Sequence, residues 1–372
     1  MKIDKKICLF VSSLRGGGAE RVAVNLANEF VTKGYQVDIL TVKKEGVYLS
    51  DISKEVRVFE PYSPSSRFLR TFLMLPALIY YIKTNRPSMV ISSLPRNNII
   101  ILIAQFFISK KSTKVVVSEH SNMTASFKKR NTYTDKLLLF FVKRLYSRAY
   151  RVIAVSNGIA NDLISNYGVP ESKVAVIHNP VDVLFIKEQS SSAIDPNVMD
   201  RKYDNIISLG RLTEAKNYPL LIKSFAKVYE NNRNARLTIF GEGELRRQLE
   251  QEIEKLGLVG LVKLPGFYKN PFAYIANAKV FVLSSDWEGF GNVLVEAVVC
   301  GTPVISTDCP SGPDEILRSG KYGILVKPGS QVELSAAICE VINQSQKTQV
   351  NLKEFGRQYK IDLIAKKYVN LI

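Results

Sequence analysis

The sequence predicts an α/β protein of two doubly wound, Rossmann-like domains facing a cleft, and three observations carry that prediction. Short β-branched runs alternate with helix-length segments through the 372 residues, which is the pattern of parallel α/β sheets. A chain this long exceeds one core and suits two domains of roughly 150 to 200 residues. A turn-rich hinge, His178-Asn179-Pro180-Val181-Asp182, separates two sets of such runs. The expected domains are therefore 1–180 and 181–355. Ligands of open parallel sheets bind at the carboxyl ends of the strands, which places a ligand in the cleft.

In the first half the expected strands are Ile7 to Leu14, Val37 to Val42, Val56 to Glu60, Met89 to Leu94, Lys114 to Glu119, Arg151 to Ser156 and Lys173 to Ile177. The polar stretch Glu188 to Asp204 reads as a linker or surface loop. Beyond it come Ile206 to Leu209, Arg236 to Phe240, Val262 to Pro265, Lys279 to Ser284, Pro303 to Ser306 and Gly323 to Val326. From Glu354 to the end the pattern is one or two helices.

Hydrophobic residues make up 46% and charged residues 23%, an ordinary globular balance that excludes disorder as the default. The apolar run Ile7 to Leu14 leads straight into glycines, so it reads as a strand rather than a secretory signal. Cys8, Cys300, Cys309 and Cys339 are scattered, as reduced thiols in a cytosolic protein would be. With only His120 and His178 present, no His/Cys metal cluster is expected.

The net charge of +17 is uneven, with 27 Lys and Arg against 12 Asp and Glu in residues 1–180, and 24 against 22 in residues 181–372. Pro61 to Ala160 holds 16 basic residues and two acids, Glu119 and Asp135. Nucleic acid, an anionic membrane surface or a polyanionic substrate would each answer such a face. Interleaved apolar residues favour the membrane, in Arg67 to Ile82 and in Lys136 to Arg151. Phe68, Leu69, Phe72, Leu73, Leu75, Leu78, Ile79 and Ile82 recur at helical spacing beside Arg67, Arg70 and Lys83, as on an interfacial helix. The plainer reading is a core helix with a solvated basic back. No apolar run reaches the ~18 residues that span a bilayer. No nucleic-acid-binding motif is present.

The most informative motif is Ser285-Asp-Trp-Glu288-Gly-Phe290-Gly291-Asn292-Val-Leu-Val-Glu296, which sets two carboxylates eight residues apart across a glycine-bracketed helix start. A helix from about Asn292 to Cys300, stopped by Gly301, would turn its first amides to an anion and lean Glu296 back toward the loop of Glu288. The plainer reading of Glu296 is an acid answering the helix dipole. After strand Ile206 to Leu209 comes Gly210-Arg211-Leu-Thr-Glu-Ala-Lys216-Asn217, whose two cations suit a pyrophosphate, Arg211 as a fork and Lys216 as a point charge. Together with the acids this suggests a nucleotide-sugar. The first strand ends in Gly16-Gly17-Gly18, a loop that allows close approach to an anion, or is simply a tight turn. It is neither a dinucleotide fingerprint nor a P-loop. His120 closes the strand Lys114 to Glu119 on the basic half, at the carboxyl end where ligands gather. His178 reads as a packing or capping residue.

These runs, with Gly301-Thr-Pro-Val-Ile, resemble the retaining GT-B glycosyltransferases of family 4 over essentially the whole chain. The resemblance implies metal-independent transfer from a nucleotide-diphospho-sugar, a UDP-sugar above all, with no cofactor because the nucleotide-sugar is itself a substrate. It puts Glu296 on the ribose hydroxyls, Glu288 on a sugar hydroxyl, and Arg211 and Lys216 on the diphosphate. Amides near Phe290, Gly291 and Asn292 would hold sugar and phosphate oxygens, and Gly16 and Gly17, with Gly18, would approach the phosphates from the other domain. His120 matches the family's histidine near the transferred sugar, and the departing phosphate helps deprotonate the acceptor. A C-terminal helix over 356–372 would pack on the first domain. The segment Ser306 to Leu317 looks like the subset that extends polyprenyl-diphosphate-linked glycans or surface polysaccharides. The acceptor would then be lipid-linked or an oligosaccharide, and the protein peripheral at the cytoplasmic face of a bacterial membrane. Two other readings remain: a basic peripheral membrane protein with a degenerate sugar site, and a soluble GT-B synthase. Turnover of a UDP-sugar separates the first, and sedimentation with anionic liposomes the second.

Overall fold

The computed structural model describes residues 3–61, 67–108, 112–128, 132–344 and 352–371. The chain divides into two compact units, Met1–Val181 with Tyr359–Ile372, and Asp182–Gln358. Among the described residues thirteen strands form two parallel sheets, each strand overlapping its expected run.

The first unit runs β1 (Ile3–Val11), α1 (Gly18–Thr32), β2 (Tyr35–Thr41), β3 (Arg57–Phe59), α2 (Arg67–Asn85), β4 (Met89–Ser93), α3 (Pro95–Ala104), β5 (Lys114–Glu119), α4 (Met123–Lys128), α5 (Tyr133–Leu145), β6 (Arg151–Ala154), α6 (Asn157–Tyr167) and β7 (Val174–Val176). Its sheet order is β3-β2-β1-β4-β5-β6-β7, so chain direction through the sheet reverses between β1 and β4. Ile7, Leu9, Ile91, Val116 and Ile153 are buried on one face of the sheet, and Cys8, Phe10, Val90, Val117 and Val152 on the other, as a doubly covered parallel sheet requires. Helix ends are set by side chains: Thr132 caps α5 and Ser156 caps α6, while Gly168 at φ +66° closes α6.

The second unit runs α7 (Val183–Ser190), β8 (Asp204–Leu209), α8 (Tyr218–Asn231), β9 (Ala235–Phe240), α9 (Arg246–Lys255), β10 (Val262–Gly266), α10 (Phe272–Ala276), β11 (Val280–Leu283), α11 (Asn292–Val299), β12 (Val304–Thr307), α12 (Pro313–Leu317), β13 (Ile324–Val326), α13 (Gln331–Asn343) and α14 (Leu352–Arg357). Its order, β10-β9-β8-β11-β12-β13, reverses between β8 and β11. Ile206, Leu237, Ile239, Val280, Val282 and Ile305 pack with Phe225, Leu249, Leu334 and Ile338. Each such side chain contributes about 1.5–3 kcal/mol of burial.

The last helix, α15 (Ile361–Val369), belongs to the first unit. Ile364 and Tyr368 join its core, Val181 N donates to Tyr359 O at 2.8 Å, and Lys114 Nζ reaches Leu371 O at 3.0 Å. The ring of His178 packs against Tyr359, 5.8 Å between centroids.

The expectation of an interfacial helix over Arg67 to Ile82 needs correction for its second half. In α2, Leu78 and Ile82 are buried with Met74 and Tyr81, and the Tyr81 hydroxyl donates to the buried Asp38 carboxylate at 2.5 Å. Tyr81 also packs on Phe59 of β3, while Leu75 and Ile79 are half-buried, which leaves the core-helix reading for Leu78 and Ile82. The side chains of Arg67, Phe68, Leu69, Arg70 and Phe72 lie outside those described.

Candidate functional site

In the second unit, the loops that follow β8 and β11 meet where the strand order reverses, the position at which doubly wound sheets bind ligands. Three hydrogen bonds stitch them together. Asp286 N donates to Ala215 O at 2.8 Å, Asn217 Nδ2 to Asp286 Oδ1 at 2.7 Å, and Ser284 Oγ to Lys216 O at 2.8 Å. Asn217 holds this junction from a left-handed conformation, φ +42°, while its Oδ1 also accepts from Leu220 N at the start of α8.

Across the junction Lys216 Nζ donates to Glu288 Oε1 at 2.5 Å, and Ser285 Oγ donates to the same oxygen at 2.7 Å. The pair is largely shielded from solvent, which strengthens the attraction and makes each charge dependent on the other. Gly210 makes room for it, since a Cβ there would sit 3.0 Å from Lys216 Cε. Arg211 is exposed and has no side-chain partner among the described residues. The two expected phosphate cations thus differ: Lys216 is engaged and Arg211 is available.

Glu288 leads into the glycine-bracketed helix start. Gly291, at φ +94°, is the residue before α11, where a side chain would be strained. Phe290 is buried, and Asn292 opens the helix half-buried. Glu296 stands one turn in, half-buried, while Leu294, Val295, Ala297, Val298 and Val299 are buried. The helix ends at Val299, one residue before the expected stop, and Gly301 follows at φ +77°. The loop after β12 braces this start. Glu288 N donates to Pro310 O at 3.3 Å, and a Cβ on Gly312 would lie 1.9 Å from Phe290 O. Cys309 in the same loop is held far into its thiol form, first by burial and then by the Glu288 charge.

In the first unit, the glycine loop lies at the corresponding reversal, between β1 and β4. Gly16 N and Gly17 N donate to Glu20 Oε2 at 2.9 and 3.0 Å, and Ser13 Oγ donates to Glu20 Oε1 at 2.7 Å. The carboxylate of α1 therefore occupies the anion position that these amides form, while Gly18 starts the helix. Ser12 Oγ reaches Asn97 Oδ1 of α3 at 3.2 Å, tying the loop to its neighbour across the reversal.

His120 follows β5 directly. Its Nε2 is 3.1 Å from Ser118 Oγ, and its buried Nδ1 has no partner among the described residues. Burial holds its pKa down at about 4, so the ring is neutral at pH 7. Tyr368 of the C-terminal helix is buried near Ser118, and burial pushes its hydroxyl up to about 12 and keeps it protonated. The C-terminal helix thus comes near the serine that bonds the histidine. On the other face of β5, Glu119 is fully buried and accepts from Asn98 Nδ2 at 2.6 Å and from the Tyr146 hydroxyl. Its Oε2 has no partner among the described residues, and burial raises its pKa to about 7.

The structure brings Lys216, Glu288 and the start of α11 into one assembly in the second unit, with Arg211 on the loop of Lys216. Gly16, Gly17, Gly18 and His120 lie at strand ends of the first. Sequence reasoning gave no role to Asn217, Ser285, Asp286, Glu20, Ser118, Glu119 or Tyr368. Asn before Tyr-Pro at a helix start, and Glu three residues after Gly17, were readable signals of capping. Tyr368 had none, because a contact some 250 residues away in sequence leaves no local trace.

Residues 16–184 match the family model described as Glycosyltransferase Family 4, and residues 191–359 the model of Glycosyl transferases group 1. Over 328 residues the chain is 31% identical to the N-acetylgalactosamine-N,N'-diacetylbacillosaminyl-diphospho-undecaprenol 4-alpha-N-acetylgalactosaminyltransferase of Campylobacter jejuni, covering 87% of this chain and 86% of that one. It is 25% identical over 374 residues to the amylovoran biosynthesis glycosyltransferase AmsD of Erwinia amylovora, covering 99% of both. The solved structure of Anabaena HepE in complex with UDP and glucose matches with a TM-score of 0.80 at 21% identity over 98% of both chains, a likeness of fold.

Proposed function

The chain belongs to the family 4 glycosyltransferases of the GT-B fold, and from that premise we propose that it is a retaining, metal-independent hexosyltransferase acting on a UDP-sugar. It moves a hexose or N-acetylhexosamine to a lipid-linked or surface-polysaccharide acceptor. The observation that carries the reading is the Lys216–Glu288 pair at the reversal of the second sheet, with the available Arg211 on the same loop and the α11 amides beyond. A diphosphate draws Lys216 and Arg211 and faces the helix start. Glu288 then takes a sugar hydroxyl and Glu296 the ribose hydroxyls, with Phe290, Gly291 and Asn292 supplying backbone amides.

Chemically, the bond from the sugar's anomeric carbon to the diphosphate oxygen breaks and a bond to the acceptor oxygen forms on the same face. The acceptor's proton passes to the leaving phosphate. This chain's part is to stabilise the charge that grows on that phosphate, with Arg211 and Lys216, and to hold the sugar, with Glu288 and His120. His120 is neutral at working pH, so it serves as a hydrogen-bonding group rather than a cation. No cofactor enters this scheme.

The acceptor reading draws support from relatives whose names carry diphospho-undecaprenol and amylovoran, and from the basic first half of the chain. Among the described residues no helix is long and apolar enough to cross a membrane. The protein would work peripherally at the inner face of the plasma membrane, held by its first unit.

A thermal-shift panel of UDP-sugars tests the donor, since a matched ligand at 100 times its Kd stabilises by about 2.7 kcal/mol. Transfer to a polyprenyl-diphosphate-linked sugar in EDTA, with the anomer read by NMR, tests the rest. Glu288→Gln should abolish transfer while keeping the fold. An inverted anomer, or dependence on a divalent ion, would remove the mechanism; absence of any UDP-sugar binding would remove the enzyme.

A further inference from the structure

On the first unit, α5 turns large apolar side chains outward. Tyr133 is 92% exposed, Leu137 57% and Phe140 51%, although Val142 and Leu145 of the same helix are buried in the ordinary way. Their spacing, i, i+4 and i+7, sets them in one stripe. The stripe continues through Arg144, whose guanidinium lies 5.4 Å from the Phe140 ring, to Arg148 just beyond the helix. Arg148 stacks 3.8 Å above Phe106, which with Phe107 is exposed at the end of α3. Lys136 and Lys143 flank the stripe, both exposed. The helix's acid, Asp135, is buried against its Thr132 cap, so the outward face of α5 carries cations and no carboxylate.

We propose that this face, formed by Tyr133, Leu137, Phe140 and Phe106 with Lys136, Lys143, Arg144 and Arg148, docks on an anionic phospholipid surface. The inference rests on the membrane reading above and narrows it from the two segments named there to α5, since Leu78 and Ile82 of α2 are in the core. Exposed rings and leucine enter the headgroup boundary, while lysine and arginine stems lie along the apolar surface and keep their charges at the lipid phosphates. A second copy of the chain is a poor occupant, because a two-fold interface would press the same cations together without an acid to answer them. An anionic surface complements every charge on the face.

The test is sedimentation of the full chain with sucrose-loaded vesicles, either pure phosphatidylcholine or with 30% phosphatidylglycerol, alongside UDP binding by calorimetry and sedimentation velocity without lipid. The wild type should partition onto the anionic vesicles only, and raised salt should release it. Leu137→Glu/Phe140→Glu should lower the partition coefficient by more than about tenfold, and each of Lys136→Glu, Lys143→Glu and Arg144→Glu by roughly fivefold, with UDP binding unchanged. Equal partition of wild type and the double variant, or no partition of the wild type, overturns the proposal. So does a wild-type dimer that Leu137→Glu/Phe140→Glu dissociates. Vesicle binding that follows these variants in a protein that never binds UDP supports the surface while sinking the donor reading, so the two failures are distinguishable.

Discussion

Lys216 Nζ and Glu288 Oε1, 72 residues apart in sequence, are 2.5 Å apart and only 17% and 10% exposed. Each is the main compensation for the other's charge. A donor's diphosphate would therefore compete with Glu288 for Lys216, and a sugar hydroxyl would replace the ammonium on Glu288. Lys216→Met leaves Glu288 with Ser285 alone and should cost about 2–3 kcal/mol, whereas Glu288→Gln should cost about 1 kcal/mol. The double variant should cost less than the sum by about 1 kcal/mol, read as a double-mutant cycle from chemical denaturation. Additivity within roughly 0.5 kcal/mol would show that the pair is not a coupled unit.

Gly312 supplies a second prediction. It sits at φ +105°, and a Cβ there would come 1.9 Å from Phe290 O, a backbone atom that must move to make room. Gly312→Ala should displace the 288–291 loop without touching a ligand. UDP affinity by calorimetry should fall at least about tenfold, and stability by about 1–3 kcal/mol. Unchanged UDP affinity would mean that the brace does not set the donor loop.

How much of this was legible follows from range. The alternation of β-branched runs and helices located every described strand, because burial on both faces of a parallel sheet writes itself into local composition. The loops after β8 and β11 were also readable, since cations and glycines at strand ends are local signals. What stayed hidden was pairing. Sequence could set Lys216 near phosphate and Glu288 near a sugar, but not show that without a ligand they satisfy each other. The amides of Gly16 and Gly17 are likewise satisfied by Glu20, which needed the turn's conformation to see. For α2 and α5 the pattern of bases and apolar residues was alike, and only packing distinguished the helix whose stripe is buried.

His120 offers a pH prediction. Burial lowers its folded pKa to about 4 from an unfolded value near 6.5, so the folded state favours the neutral ring. The stability this supplies is complete above about pH 6.5 and is lost as pH falls toward 4, where the unfolded chain binds the extra proton. His120→Gln should therefore lose about 1–3 kcal/mol less than wild type between pH 7 and pH 4. With only two histidines in the chain, ring 15N shifts can be assigned directly. They should show a neutral His120 at pH 5.5, with its tautomer set by the bond between Nε2 and Ser118 Oγ. Ser118→Ala should redistribute the tautomers, and an imidazolium at pH 5.5 would contradict the burial argument.

Glu119 works in the opposite sense one residue earlier. Burial raises its pKa from 4.5 to about 7 despite the bonds from Tyr146 and Asn98, so the folded state favours the protonated acid. That contribution is present below about pH 4.5 and is lost as pH rises through 7, because the unfolded chain releases the proton first. Glu119→Gln keeps a neutral, similarly shaped side chain and removes the titration. It should match wild type at pH 4.5 and be more stable by about 1–3 kcal/mol at pH 8, measured by urea denaturation across that range. Between about pH 4.5 and 6.5 the His120 and Glu119 slopes oppose each other, so the wild-type profile alone can look flat while both groups titrate. A difference between Glu119→Gln and wild type that does not change with pH would mean that the buried carboxylate is ionised throughout, held by Tyr146 and Asn98 more strongly than burial disfavours it.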